Sequence, residues 1–430
     1  MKKRLFGVTA NEGNHGEDVK ECYYYLDNTP THSYLNYLYK YPQAVFPYRE
    51  LMERNRTRGT EEPEWKLTDS GVFDEERYFD VFVEYAKRGA EDIRIRATVI
   101  NRGPERAVLH VLPTAWFRNT WTQRPGTARA GLRWGSGYTI DLEEPYYGQR
   151  RLYCDGSPEL LFMENETNWE RLYGGAKGYA KDGIKDCVVE GRRDAVNPQQ
   201  LGTTGAAHYL IVLDPGESAA VRMQLAENEA LPFADFDGII LERKAEADEF
   251  YSTVIPTGLT ADARDVMRQA LAGMSWSKQF YHYVANDWLK GDPGMPSPPA
   301  ERKRGRNHES AHLYNADLIA MPDKWEYPWY TAWDLGIPVH SAGADRSGFR
   351  QGSVDADRAR MVYASERSTT CVRVGIGRHQ PSRACLGGME GLRDREEEER
   401  FWGPYFSAAD LSQTASQLYV VGQPRGCGGT

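Results

Sequence analysis

Five aromatic residues lead up to Asp334 in the stretch from Met321 to Asp334, MPDKWEYPWYTAWD. Pro322 and Pro328 hold its first half out of helix, because each lacks an N–H and biases its predecessor towards extended geometry. From Trp329 onward helix is allowed. Trp329 and Trp333, four residues apart, would then share a face, with Asp334 on the adjoining edge. Aromatic faces beside an acid suit a sugar: the rings cover the apolar C–H face of a pyranose while the acid protonates the glycosidic oxygen. The same residues also fit a buried aromatic turn closed by a capping Asp.

A second constellation, His308-Glu309-x-x-His312, matches the zincin pattern, in which two His on one helical face bind zinc and the Glu acts as base. That motif needs an apolar helix, yet the basic run from Arg302 to Asn307 (RKRGRN) comes immediately before it and no third ligand follows. A zinc metallopeptidase is therefore a weaker alternative, and no metal is expected. Gly13 to Asp18 (GNHGED) is polar and Gly-bounded, just ahead of Tyr23 to Tyr25. It either lends His15 or Glu17 to a neighbouring site or forms a β-turn with local Asx hydrogen bonds. There is no P-loop and no G-x-S-x-G, so nucleotide and serine-esterase chemistry have no support.

Residues 1 to about 230 must supply the scaffold, and they read as antiparallel β-structure. Ile93, Ile95, Ala97 and Val99 alternate with Arg94, Arg96 and Thr98, a turn follows at Asn101 to Pro104, and Val108 to Leu112 returns. This predicts a hairpin. A second is expected from His208 to Leu213, turning at Asp214-Pro215-Gly216 and returning through Val221, Met223 and Leu225. Repeated hairpins with long loops predict a large β-sandwich. The period then changes: Asp237 to Thr253 reads as a helix with Ile240, Leu241, Ala245 and Phe250. Thr260 is an N-cap for a longer helix, with Val266, Met267, Ala270, Leu271, Met274 and Tyr281 on one side. Lys290 to Ser310 is a solvated loop rich in Pro, Gly and Arg.

The chain of 430 residues is long enough for two or three domains. Its net charge of −9 argues against a nucleic-acid partner, while 26 Tyr and 11 Trp favour a carbohydrate-handling surface. The basic N-terminus is followed by no apolar run, so no secretory signal is expected, and no stretch is apolar enough to cross a bilayer. Six cysteines without a C-x-x-C pair fit free thiols in a reducing cytosol, so a cytoplasmic location is expected.

With these residues in view the chain resembles glycoside hydrolase family 63, in its bacterial mannosylglycerate-hydrolase-like or glucosidase-like branch. The resemblance rests on Lys3 to Thr9 (KRLFGVT), Gly13 to Glu21 (GNHGEDVKE), Thr29 to Tyr34 (TPTHSY), Gly71 to Asp74 (GVFD), Trp116 to Asn119 (WFRN), and above all His312 to Asp317 (HLYNAD) through Asp334. It covers residues 1 to about 335. The resemblance implies a β plus α fold: a supersandwich-like N-terminal β-sandwich (1–230), a linker helix (231–258) and the first part of an (α/α)6 barrel (259–335). It implies an inverting enzyme acting on α-glycosidic bonds of small glucosides or mannosides, without cofactor. One carboxylic acid protonates the leaving oxygen, and a distant Glu, roughly 6.5–9.5 Å away, activates water. On the motif Tyr-Pro-Trp-Tyr-x-Ala-Trp-Asp, Asp334 is the general acid. Trp325, Tyr327, Trp329 and Trp333 shape the sugar pocket, with His15 and Glu17 at its rim. The partner is a small saccharide; nothing in the sequence sets the oligomeric state.

Members of that family begin upstream of Met1 and continue through most of the barrel beyond Asp334, so the chain is expected to be truncated at both ends and to lack its base. After Asp334 both hydrophobic periods vanish, no Lys follows Lys324 and no Asn follows Asn315. Residues 336–430 are expected to be an irregular, frameshifted or disordered tail. Codons for Leu335 to Pro338 (LGIP), read one base over, can encode Leu-Ala-Phe-His, and those for Gly388 to Glu396 can encode an amphipathic helix by the same shift. A chain of this kind is expected to be an inactive fragment, or else a non-catalytic carbohydrate-binding or interaction protein.

Overall fold

The structure, a computed structural model, describes residues 22–45, 47–59, 61–63, 65–122, 126–227, 231–305, 308–320 and 417–422. The chain divides into two units, one of residues 1–120, 127–249 and 408–430, the other of 121–126 and 250–407. Its class is β plus α, and none of the described helices is long and apolar enough to cross a membrane.

The first unit is built on two sheets. Strands β1 (Cys22–Asn28), β2 (Tyr34–Pro42), β3 (Tyr78–Gly89) and β4 (Asp92–Asn101) pair in succession. The larger sheet continues through β12 (Ser218–Ala226), β8 (Gly148–Cys154), β7 (Thr139–Glu144), β6 (Gly131–Trp134) and β10 (Leu201–Gly202). The smaller sheet runs β15 (Gln417–Gly422), β5 (Ala107–Trp116), β11 (Thr204–Leu213), β9 (Glu159–Met163). Alternation sets the faces: Ile93, Ile95, Ala97 and Val99 of β4 are all buried, as are Leu109, Val111 and Ala115 of β5. Ile140 of the larger sheet lies against Gly205 of the smaller, where a Cβ would stand only 3.3 Å from its Cδ1.

Both expected hairpins are instead arches between the sheets. β4 pairs with β3 and β12, and β5 with β11 and β15; likewise β11 and β12 lie in different sheets. Alternation fixes which face a strand buries but is silent on its neighbour, and an arch buries the same residues as a hairpin. What holds the two arches is Asn101, which is fully buried. Its Nδ2 donates to the carbonyls of Glu105 (2.8 Å) and Leu213 (3.0 Å), and its Oδ1 accepts from Gly103 N and Gln43 Nε2. Its backbone exchanges bonds with the second arch, donating to Glu217 O and accepting from Gly216 N.

Helix α1 (Tyr48–Thr57) buries Leu51 with Leu67 and Val72. The five-residue α2 (Trp169–Tyr173) is capped by the Asn168 side chain, and α3 (Gly183–Glu190) covers part of the smaller sheet's outer face, packing Ile184 and Cys187 on Leu112, Leu161, Met163 and Ala206. Helix α4 (Phe236–Val254) agrees with the expected span. The side it buries differs: Phe236, Ile239, Ile240 and Ala247 pack with Tyr34 and Ala86, whereas Leu241 and Ala245 are exposed. Entry to α4 is fixed by buried polar groups. Arg94 donates to Asp92 (2.8 Å) and to Ala234 O, and Gln224 donates to Asp92 and accepts from Phe233 N.

In the second unit, α5 (Ala261–Trp276) starts at the expected cap, with Thr260 Oγ1 accepting from Ala263 N. Of its expected apolar side, Val266 and Ala270 are exposed. Tyr281 does not belong to the helix; it lies in β13 (Lys278–Val284), which pairs with β14 (Tyr314–Ala320). The run KQFYHYV carries aromatics and Val that favour extended backbone, and Ser277 closes the helix by donating to Met274 O. Between these strands lies α6 (Ala285–Lys290), and Arg302 of the basic run stacks over Trp288 at 4.8 Å.

The expected irregularity of residues 336–430 needs one correction. Gln417–Gly422 (QLYVVG) forms β15 along β5, because a short β-branched run can pair with an open sheet edge whatever precedes it.

Candidate functional site

Asp334, Trp325, Tyr327, Trp329, Trp333, His15 and Glu17 lie outside the described residues. The zincin-like residues are described. His308, Glu309 and His312 sit in exposed turns, with no helical face to bring the two imidazoles together. His308 Nδ1 donates to Gly305 O at 2.7 Å, and its Nε2 is 3.6 Å from Glu309. Among the described residues no group of three or more side chains is placed to hold a metal ion.

The described residues do contain a cleft of about 1090 Å³, built on β6, β7 and β8. Leu132, Ile140, Leu142 and Leu152 face inward and are buried, so the alternate positions of the same strands face outward. Register then aligns Arg133, Asp141 and Arg151 in one row across three strands. Arg151 Nε donates to Asp141 Oδ1 at 2.6 Å, while Arg133 Nε stands 3.9 Å from Asp141 Oδ2. Asp141 in turn pushes the Arg151 guanidinium above its ordinary value. Arg150 is held by Glu91 and, at 3.3 Å, by Glu227; Arg129 is held by Glu164 and Glu166. Thr203 Oγ1 donates to Glu164 as well, at 2.8 Å.

The rim is set by the turn between β7 and β8. Glu144 Oε2 accepts from both Tyr146 N and Tyr147 N at 2.7 Å, and Gly148 adopts φ 71°. The two rings meet edge to face, 5.1 Å between centroids, and Tyr146 is 60% exposed. Four arginines and four carboxylates line the cleft, so its formal charge cancels. Asp141 and Glu164 are already acceptors for guanidinium groups, which suits them to fixing a ligand rather than to protonating one. The spacing of Arg133, Asp141 and Arg151 gives no motif, because the row exists only once three strands are in register. The turn EPYYG from Glu144 to Gly148 is the one local signal that points to it.

A second polar line crosses the outer face of the smaller sheet. His110 Nδ1 is 2.7 Å from His208 Nε2, His208 Nδ1 is 3.4 Å from Glu159, and Glu159 accepts from Arg193. Burial first and then the His208 charge push the His110 pKa down, while the Arg193 hydrogen bond holds Glu159 low. Cys154 and Cys187 are no nucleophiles: burial drives both thiols up, Cys154 to about 12.

No family model matches the chain. An uncharacterized protein of Saccharomyces cerevisiae is 37% identical over 391 residues, which takes in 78% of this chain and 36% of that protein. The chain thus spans about a third of the length of this curated relative. Among solved structures, a polysaccharide lyase matches 38% of this chain and 22% of its own, with 16% identity and a TM-score of 0.22. A kojibiose phosphorylase candidate from the human microbiome matches 49% and 24%, with 6% identity and a TM-score of 0.21. Neither score reaches the level at which two chains share a fold.

Proposed function

We propose that this chain carries part of a carbohydrate-active enzyme, an inverting glycoside hydrolase of the family-63 type that acts on α-glycosidic bonds of small glucosides or mannosides. The observation that supports it best is the order of elements. A two-sheet sandwich leads into α4 and then into the Thr260-capped α5, as the resemblance implies, ahead of the aromatic stretch that ends at Asp334.

In this reading Asp334 is the general acid, and Trp325, Tyr327, Trp329 and Trp333 offer ring faces to the sugar, with His15 and Glu17 at the rim. The base is a glutamate beyond the part of the chain that resembles the family. A general base in that role contributes about 10²–10⁴-fold. A non-catalytic saccharide-binding role is the second reading, favoured by the neutral cleft on β6–β8 with its carboxylates engaged by guanidiniums.

The test begins with the gene, sequenced from about codon 300 past the stop and translated in all frames. The expected result is a neighbouring frame that continues with Leu-Ala-Phe-His and an aromatic-rich helical pattern. Its product should hydrolyse α-glucosides or α-mannosides with inversion at the anomeric carbon, and Asp334→Asn should abolish turnover. A longer product without glycosidase activity would overturn the reading.

A further inference from the structure

We infer that the cleft on β6, β7 and β8 is a binding site for a neutral oligosaccharide. Charge, shape and rigidity suit the cleft to such a ligand. Four arginines against four carboxylates leave no net field to attract an ion. What remains on the outward face is the row Arg133, Asp141 and Arg151, planar donors and an acceptor in register. Vicinal hydroxyls engage such an array well, each accepting from a guanidinium while donating to a carboxylate.

Arg133 is the member of the array best placed to take a ligand. Its nearest carboxylate oxygen is 3.9 Å away, beyond hydrogen-bond reach, and its side chain is 63% exposed. Asp141 is anchored on its other oxygen by Arg151, which leaves Oδ2 facing Arg133 across a gap that a sugar hydroxyl would close.

Tyr146 supplies the apolar half of sugar recognition. It is 60% exposed, yet its backbone is fixed by Glu144 and its ring is braced edge-on by Tyr147. An exposed ring held in place loses little entropy when a pyranose stacks on it. A volume of about 1090 Å³ lies at the top of the usual range for ligand pockets, roughly 300–1,000 Å³, and so suits several sugar rings rather than one. This inference rests on the carbohydrate reading above for the ligand's class, and on the cleft alone for its place.

The test is isothermal titration calorimetry of the full chain with maltotriose, maltopentaose and an α-linked mannotriose. Tyr146→Ala, Arg133→Ala and His308→Ala are compared, each first checked for an unchanged circular dichroism spectrum. Binding by at least one saccharide is expected, weakened at least tenfold in Tyr146→Ala and in Arg133→Ala and unchanged in His308→Ala, an exposed turn residue outside the cleft. Absence of binding by all three sugars would overturn the inference. So would binding that survives Tyr146→Ala and Arg133→Ala but disappears in Trp329→Ala. Retention of sulfated glycans alone, displaced by salt, would also overturn it, since it would mark an anion site. If the longer product shows no hydrolysis while the cleft variants still lose binding, the enzyme reading fails and the cleft stands.

Discussion

His110 and His208 lie diagonally across β5 and β11, their rings 5.0 Å apart and 15° from parallel, with Nδ1 of one 2.7 Å from Nε2 of the other. Two imidazoles this close share at most one proton comfortably. His110 is 6% exposed, and its Nε2 has no hydrogen-bond partner among the described residues. Its pKa lies below the ordinary 6.5, through burial and then the His208 charge.

A pH prediction follows, with a definite sign. Because the folded state binds the His110 proton less tightly than the unfolded state does, the associated stability is complete above pH 6.5. It is lost as pH falls from there through the depressed folded value. The melting temperature should be level above pH 6.5 and fall as pH drops below it. His110→Phe should flatten that fall; equal slopes in the two proteins would show that the pair does not contribute.

Asn101→Ala should destabilise the sandwich by about 3 kcal/mol, since it strips donors from two buried carbonyls and an acceptor from Gly103 N. Urea unfolding would show a lower midpoint with an unchanged slope. A loss below about 0.5 kcal/mol would mean that the arches hold without it.

Arg94→Met should cost about 3 kcal/mol, because the side chain is completely buried and its loss leaves Asp92 without its closest guanidinium. The same variant should loosen the entry to α4, where Ala234 O accepts from Arg94. Faster amide exchange around Phe236 would report that directly.

Thr260→Ala removes the oxygen that caps α5 and should cost about 1 kcal/mol. Thr260→Ser should restore most of it, and amide exchange in the first turn of α5 is the suitable readout.

Dialysis against zinc should leave well under one equivalent on the purified chain, and His308→Ala should not change that amount. Both His308 and His312 are exposed and sit in turns. Stoichiometric zinc lost in His308→Ala would reverse the reading of this motif.

Local features were legible in the sequence where a few adjacent residues decide them. Alternation in β4 and β12, the Thr260 cap and the span of α4 all depend on periods of two or four. Partner choice was not legible, because Ile93 to Val99 bury the same side whether the chain returns as a hairpin or crosses to the other sheet. The side of α4 was misjudged for a related reason: Leu241 is as apolar as Ile240, and only packing on Tyr34 and Ala86 separates them. The cleft shows the same limit, since Arg133 and Arg151 are brought to Asp141 by register alone. Asp334 and its rings, so plain in the sequence, lie outside the described residues.

The position of β12 has a consequence for biosynthesis. It sits between β4 and β8, so until residues 218–226 leave the ribosome the larger sheet exists as two incomplete blocks, β1–β4 and β8–β7–β6–β10. At about 5–20 residues per second, β4 waits roughly 6–25 s for this neighbour. Throughout that interval an apolar strand edge is left unpaired, and nascent chains on one polysome could pair with each other instead. The step that completes the sheet is thus also the point at which a chaperone would be most needed.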